Sequence, residues 1–140
     1  MPIHGAHGVT WYTYGGYNQN HGVTSTPEHW HEICTVAGEL AAIQKQLCAR
    51  NAKSQPAVTI LDGPQRDALD YPAVTVLLKD NDGPKLLLAA NSSTEPVRAA
   101  IGVKGFRQAK VLFEERSVEC ADGLEDDFAP FAVHVYELAP

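Results

Sequence analysis

A chain of 140 residues is one domain's worth of polypeptide, and 44% hydrophobic against 20% charged residues is globular rather than disordered composition. Eleven Lys and Arg against 17 Asp and Glu give a net charge of -6 with no basic stripe, which argues against nucleic acid as a partner because phosphate binding needs clustered cations. Three cysteines, Cys34, Cys48 and Cys120, without Cys-x-x-Cys spacing point to reduced thiols rather than a disulfide framework or a zinc knuckle. The longest apolar runs, residues 73–78 and 86–90, fall far short of the ~20 residues of a membrane span. The first residues, MPIHGAHGV, have neither the cationic nor the apolar region of a signal peptide, so the expectation is a soluble chain that engages no membrane.

In chain order, residues 8–16, GVTWYTYGG, are a β-branched and aromatic run closed by a glycine pair, the pattern of a strand and a turn. Residues 17–24, YNQNHGVT, are a polar Asn- and Gly-rich loop. STPEHW then carries a helix start: Ser25 and Glu28 have capping-box spacing, or Thr26 caps with Pro27 in the first helical position. Trp30, Ile33, Ala37, Leu40 and Leu47 recur at intervals that favour one helical face, widened by Cys34, Ala41 and Cys48, so the spacing predicts a helix to near Arg50 with one buried stripe. Gly38 inside it costs up to ~1 kcal/mol against Ala and marks an expected close approach to another element. NAKSQP, residues 51–56, reads as a linker.

After Pro56 the pattern changes to short strands separated by turn residues, the signature of an antiparallel sandwich or barrel. The predicted strands are 57–61, 73–79, 85–91, 97–103, 109–113, 117–120, 124–128 and 132–138. The clearest hairpin is LLKDNDGPKLLL, with Asp82-Gly83 at the turn and one alternate series, Val74, Val76 and Leu78 against Leu86 and Leu88, facing the core. The expected fold class is mainly β, an antiparallel β-sandwich preceded by one strand and one long α-helix, with residues 1–54 and 55–140 as separate parts.

Six histidines invite a test for metal binding. The densest group is His29, His31, Glu32 and Cys34, but residues two apart on a helix point about 200° from each other, so the two histidines do not share a metal there. His4 and His7 lie in a Gly-rich segment. KDNDG lacks the ligand count of a calcium loop, since Leu78 and Ala89 occupy two of the required positions. No metal or other cofactor is expected. The doublets Glu114-Glu115 and Asp126-Asp127 alternate sides on a strand, so neither makes a carboxylate dyad by itself, and both read as solvated turn residues. Trp11, Tyr12, Tyr14, Tyr17, Asn18, Gln19, Asn20 and His21 form an aromatic and amide-rich group. Aromatic faces stack on sugar rings and the polar groups bond hydroxyls, so this composition suits carbohydrate; an alternating aromatic strand also serves simply to pack both of its faces.

The order GVTWYTYGG, polar loop, TPEHW helix, linker and a strand-rich tail ending in DDFAPFAVHVYEL resembles the C-terminal end of bacterial glycoside hydrolases with a (β/α)8 barrel. In that family the last barrel strand and helix precede a small antiparallel β-sandwich, to which LLKDNDGPKLLLAANSSTEPVRAAI, KVLFEERSV and FAPFAVHVYEL are similar. The resemblance implies that residues 8–16 correspond to the last barrel strand, that Trp11 is the aromatic of the sugar-site floor, and that residues 15–21 lie at the barrel mouth. It also implies that the two catalytic carboxylates belong to earlier strands, which this chain does not contain.

One strand cannot close a barrel. The resulting expectation is a noncatalytic C-terminal portion of a glycoside hydrolase, inactive alone, whose sandwich supports a barrel supplied by other sequence and whose unpaired strand favours self-association. The partners it implies are the remaining barrel and carbohydrate, with Trp11, Tyr12, Tyr14, Tyr17, Asn18 and His21 as substrate contacts. Two alternatives stand beside it: an independent carbohydrate-binding module using the same aromatic group, and a small metal-dependent enzyme using the histidines.

Overall fold

The computed structural model describes residues 2–6, 9, 26–120 and 123–139. The aromatic strand and polar loop expected at residues 8–24, with Trp11, Tyr12, Tyr14, Tyr17, Asn18 and His21, lie outside the described residues apart from Val9. The chain divides into two units, residues 1–48 and 49–140.

In the first unit α1 spans Pro27–Ala42, with Thr26 at its N-cap and Pro27 at its first position. Thr26 Oγ1 accepts a hydrogen bond from the His29 amide at 3.2 Å, which satisfies one of the orphan donors of the first turn. The helix ends earlier than the spacing predicts. Ile43 leaves helical geometry at φ -105°, ψ 10°, and a separate turn α2, Gln44–Leu47, follows. Ile33, Ala37, Leu40 and Leu47 are half-buried as the stripe predicts, but Trp30, Cys34, Ala41 and Cys48 are exposed, so the covered face is narrower than expected. Gly38 marks no close approach, for no described atom lies within 4 Å of where its Cβ would stand.

The second unit is a β-sandwich of two antiparallel sheets. Its strands are β1 (Arg50–Asn51), β2 (Val58–Asp62), β3 (Val74–Asp80), β4 (Lys85–Asn91), β5 (Val97–Ile101), β6 (Gln108–Leu112), β7 (Arg116–Glu119), β8 (Leu124–Phe128) and β9 (Val133–Ala139). One sheet has the order β1-β3-β4-β9-β6-β7 and the other β2-β5-β8. The core lies between them, built from Leu87, Ala89, Ala109, Val111, Tyr136 and Leu138 of the larger sheet and Val97, Ala99, Ile101, Leu124 and Phe128 of the smaller. All eight strands expected after Pro56 are present, with ends shifted by at most two residues.

One expected face is reversed. The hairpin register pairs Val76 with Ala89 and Leu78 with Leu87, so Leu87 and Ala89 share the core face with Val74, Val76 and Leu78. Leu86 and Leu88 pair with Lys79 and Leu77 and face the other way, where they are buried as well. Because LLLAA is apolar without alternation, only the turn could decide its register. That turn holds Gly83 at φ 120° and is closed by the Lys85 ammonium on Asp80 at 2.6 Å and on the Asn81 carbonyl at 2.8 Å. The Lys85 bond and charge hold the Asp80 carboxyl below its ordinary range, and the aspartate is thus engaged by the protein's own cation.

The segment read as a linker is stitched to β3. Arg50 and Asn51 pair with Asp80 and Lys79, and the Gln55 side chain accepts from the Leu78 amide at 2.7 Å while donating to the Leu78 carbonyl at 3.1 Å. A side-chain amide here takes the place of a strand residue and satisfies an edge that would otherwise stand open. The buried Lys79 donates to the Ala49 carbonyl at 3.0 Å and to Asn51 Oδ1 at 2.9 Å. At the opposite end of the sheet buried Asn91 donates to the carbonyls of Glu95 and Ala129 at 2.8 and 3.0 Å and accepts from the Ser93 amide at 2.9 Å, fixing two connections at once.

Two glycines are expected to respond oppositely to alanine. Gly63 has φ 94°, and a Cβ there would meet the Pro96 carbonyl oxygen at 2.6 Å, so Gly63→Ala is expected to destabilise the sandwich by about 2 to 3 kcal/mol in denaturant unfolding. Gly38→Ala, in open space within α1, is expected to raise the stability of the helical unit by ~0.5–1 kcal/mol, read as a higher midpoint of helical circular dichroism loss.

Candidate functional site

Three strands of the sandwich each place a polar residue in an otherwise apolar inward series. On β8 the series is Leu124, Asp126, Phe128; on β9 it is His134, Tyr136, Leu138; on β7 it is Arg116, Val118 with Cys120 beyond. Since β8 belongs to one sheet and β7 and β9 to the other, the three polar positions meet across the interior. The side chains of Asp126 and His134 are only 10% and 11% exposed, against 35% for Arg116. Asp126 is therefore not the solvated turn residue that its doublet suggests. Its neighbour Asp127 does face solvent, as strand alternation requires.

Asp126 is held from three sides. Arg116 Nη1 and Nη2 donate to its two oxygens at 2.9 Å each, a fork geometry that fixes both groups. The Tyr136 hydroxyl donates to Oδ2 at 2.6 Å. His134 Nδ1 lies 3.1 Å from the same oxygen and 3.1 Å from Arg116 Nη2. Nδ1 is also 3.1 Å from the Tyr136 hydroxyl; as an N–H it donates to the carboxylate, and as a bare nitrogen it accepts from the second N–H of Arg116 Nη2. The imidazole also stacks on Phe128, with centroids 4.7 Å apart and planes at 19°. Glu114, on the turn between β6 and β7, accepts from Arg116 Nε at 2.6 Å and has Oε1 3.8 Å from His134 Nε2.

These contacts lock the protonation of the acid. Burial raises the Asp126 carboxyl, but the bonds from His134, Arg116, Tyr136 and the Asp127 amide together outweigh it and hold the group far below the ordinary carboxylate range. Burial, reinforced by the bond to that carboxylate, pushes the Tyr136 phenol far above its usual value. The bond to Asp126 likewise raises the Arg116 guanidinium, against the opposing effect of its burial. Near neutral pH Asp126 is therefore ionised while Tyr136 keeps its proton in the bond to it, and the carboxylates of Asp126 and Glu114 converge on one guanidinium. The chemistry this arrangement performs is a cross-sheet clamp.

Other candidates stand apart from it. His29 and His31 lie on α1, and among the described residues no group of three His, Cys, Asp or Glu gathers to hold a metal. Cys34 and Cys48 are exposed, and Cys120 is buried with its thiol raised by desolvation. A cleft of about 260 Å³ on the smaller sheet is lined by Asp62, Pro96, Arg98 and Asp127 among others and includes none of the clamp side chains. The clamp itself was beyond a strand-by-strand reading, although the single polar residue in each of three inward series is its visible trace. Comparison of the chain with protein-family models, with curated proteins and with solved structures gives no match.

Asp126→Asn leaves the partly buried Arg116 half-paired and is expected to cost about 2 to 3 kcal/mol, toward the lower end for a buried pair because Arg116 retains some solvent. The carboxyl is depressed in the folded state, so between its unfolded value of ~4 and its much lower folded value the unfolded chain holds a proton that the folded chain lacks. Stability is expected to be fully present above that window and to fall as pH drops through it. Urea unfolding of the wild type at stepped pH should show the loss, and Asp126→Asn should flatten it; equal slopes would contradict the clamp.

Proposed function

We propose that residues 49–140 are a noncatalytic β-sandwich module that supports a carbohydrate-active barrel supplied by other sequence, as the resemblance to the C-terminal end of glycoside hydrolases implies. The observation that carries this reading is the state of Asp126, an interior carboxylate bound by Arg116 and Tyr136 and kept ionised, which serves cohesion between the sheets rather than proton transfer. The larger sheet adds support. Leu77, Leu86, Leu88 and Ala90 form a second apolar series pointing away from the smaller sheet and are buried within the chain, so the larger sheet is a layer covered on both faces, as suits a rigid supporting module.

In this role the sandwich contributes rigidity and apolar area, and the acids that cleave the glycosidic bond belong to the barrel it supports. The aromatic group at Trp11, Tyr12, Tyr14 and Tyr17, with Asn18 and His21, would then contact sugar only once the barrel is complete.

The full chain, assayed with a panel of aryl glycosides, is expected to give no turnover above buffer. Turnover that a single substitution within this chain abolishes would overturn the reading. Titration with oligosaccharides while following tryptophan fluorescence is expected to give no saturable response; a saturable response lost in Trp11→Ala would favour an independent carbohydrate-binding module.

A further inference from the structure

The exposed large hydrophobic residues of the sandwich gather at one of its two ends. Leu61 lies near the end of β2, Leu69 and Tyr71 on the connection to β3, Phe113 on the turn after β6, Phe131 on the turn before β9 and Val133 at the start of β9, with exposures of 47 to 77%. The register joins these points: Val74 pairs with Asn91, Ala90 with Val133, and Leu112 with Val135. Hydrogen bonds tie the connections to one another, from the Ser92 hydroxyl to Asp67 Oδ2 at 2.8 Å and from the Phe131 amide to the Ser93 carbonyl at 3.3 Å. Asp67 also accepts from the amides of Leu69 and Tyr71 at 2.9 and 3.0 Å, so the connection is held by backbone while its two large side chains stand outward. Among the described residues, the opposite end of the sandwich exposes no large hydrophobic side chain.

Charge follows the same division. Residues 61–73, 91–98, 112–116 and 125–134 hold nine acidic residues, of which Asp126 is interior, against three arginines, a balance of -6 that equals the net charge of the whole chain. Those arginines are already engaged internally: Arg66 with Asp70, Arg98 with Glu125, and Arg116 with Asp126 and Glu114. The opposite end is mixed in sign, with Lys85, Lys104 and Arg107 beside Asp80, Asp82 and Glu119, and Lys85 is paired with Asp80.

We propose that this apolar, acidic end is a docking surface for a partner protein segment in which apolar side chains are flanked by lysine or arginine. Protein interfaces combine an apolar centre with a charged rim, and opposite charge on the partner would relieve the concentrated negative potential. Anionic lipid and nucleic acid meet that potential unfavourably. A second copy is disfavoured in either orientation, because like ends repel and the opposite end, mixed in charge, presents no large exposed apolar counterpart among its described residues.

The test is selection of a random dodecapeptide library against the immobilised full chain, followed by anisotropy titration of the most enriched peptide. Enriched sequences are expected to join Leu, Ile, Phe or Trp with Lys or Arg. The double variant Leu69→Ser/Tyr71→Ser, in which the Asp67 backbone bonds persist, is expected to weaken binding about tenfold or more. Glu95→Gln/Asp127→Asn should weaken it less, and raised salt should do the same to the wild type. Absence of enrichment, enrichment of peptides without cations, or an affinity that Leu69→Ser/Tyr71→Ser leaves unchanged would each overturn the proposal. So would sedimentation showing self-association of the full chain that the same double variant abolishes.

Discussion

An ionised carboxylate faces into the core of this sandwich, and much of its architecture is arranged to keep it there. Placing Asp126 between Leu124 and Phe128 on an inward series costs desolvation that only excellent pairing repays. The Arg116 fork and the Tyr136 hydroxyl supply that pairing from the opposite sheet. Hydrophobic burial alone would let two sheets slide on each other, whereas a set of directed bonds across the interior admits one relative position. Burial of the tyrosine ring and satisfaction of its hydroxyl are thus the same structural event.

The clamp engages a cluster rich in acid, imidazole and phenol with bonds inside the protein. Catalytic acids and bases need protonation states that change near the operating pH, and here burial and pairing drive the carboxyl and the phenol in opposite directions away from it. The remaining carboxylate, Glu114, is occupied by the same arginine. What is left for interaction is the periphery, above all the acidic end carrying the exposed Leu69, Tyr71 and Phe131. That end suits protein contacts and does not compete with the clamp for its side chains.

The strands were legible because alternation and turn residues are local properties. Asp82-Gly83, Gly63, Gly105 and Gly123 punctuate the chain where positive φ is needed, and outside β4 the apolar positions between them largely alternate. Legibility failed where the decisive information was nonlocal. LLLAA carries no alternation, so its core face follows from the turn register, and Gln55 reads locally as linker although its amide bridges both backbone groups of Leu78. Asp126 beside Asp127 resembled solvated turn, since nothing in either neighbour announces an arginine ten residues earlier and a tyrosine ten residues later on the facing sheet. Polar residues at inward positions of β7, β8 and β9 are each anomalous alone and consistent only together.

The most direct test of the clamp is a carbon-13 NMR titration of the Asp126 side-chain carboxyl in the intact chain. The expected result is a carboxylate that shows no inflection from neutral pH down to the onset of acid unfolding, because Arg116 and Tyr136 keep it ionised as long as the fold persists. An inflection near neutral pH would mean a carboxyl free to exchange its proton, and would contradict both the clamp and the noncatalytic reading built on it.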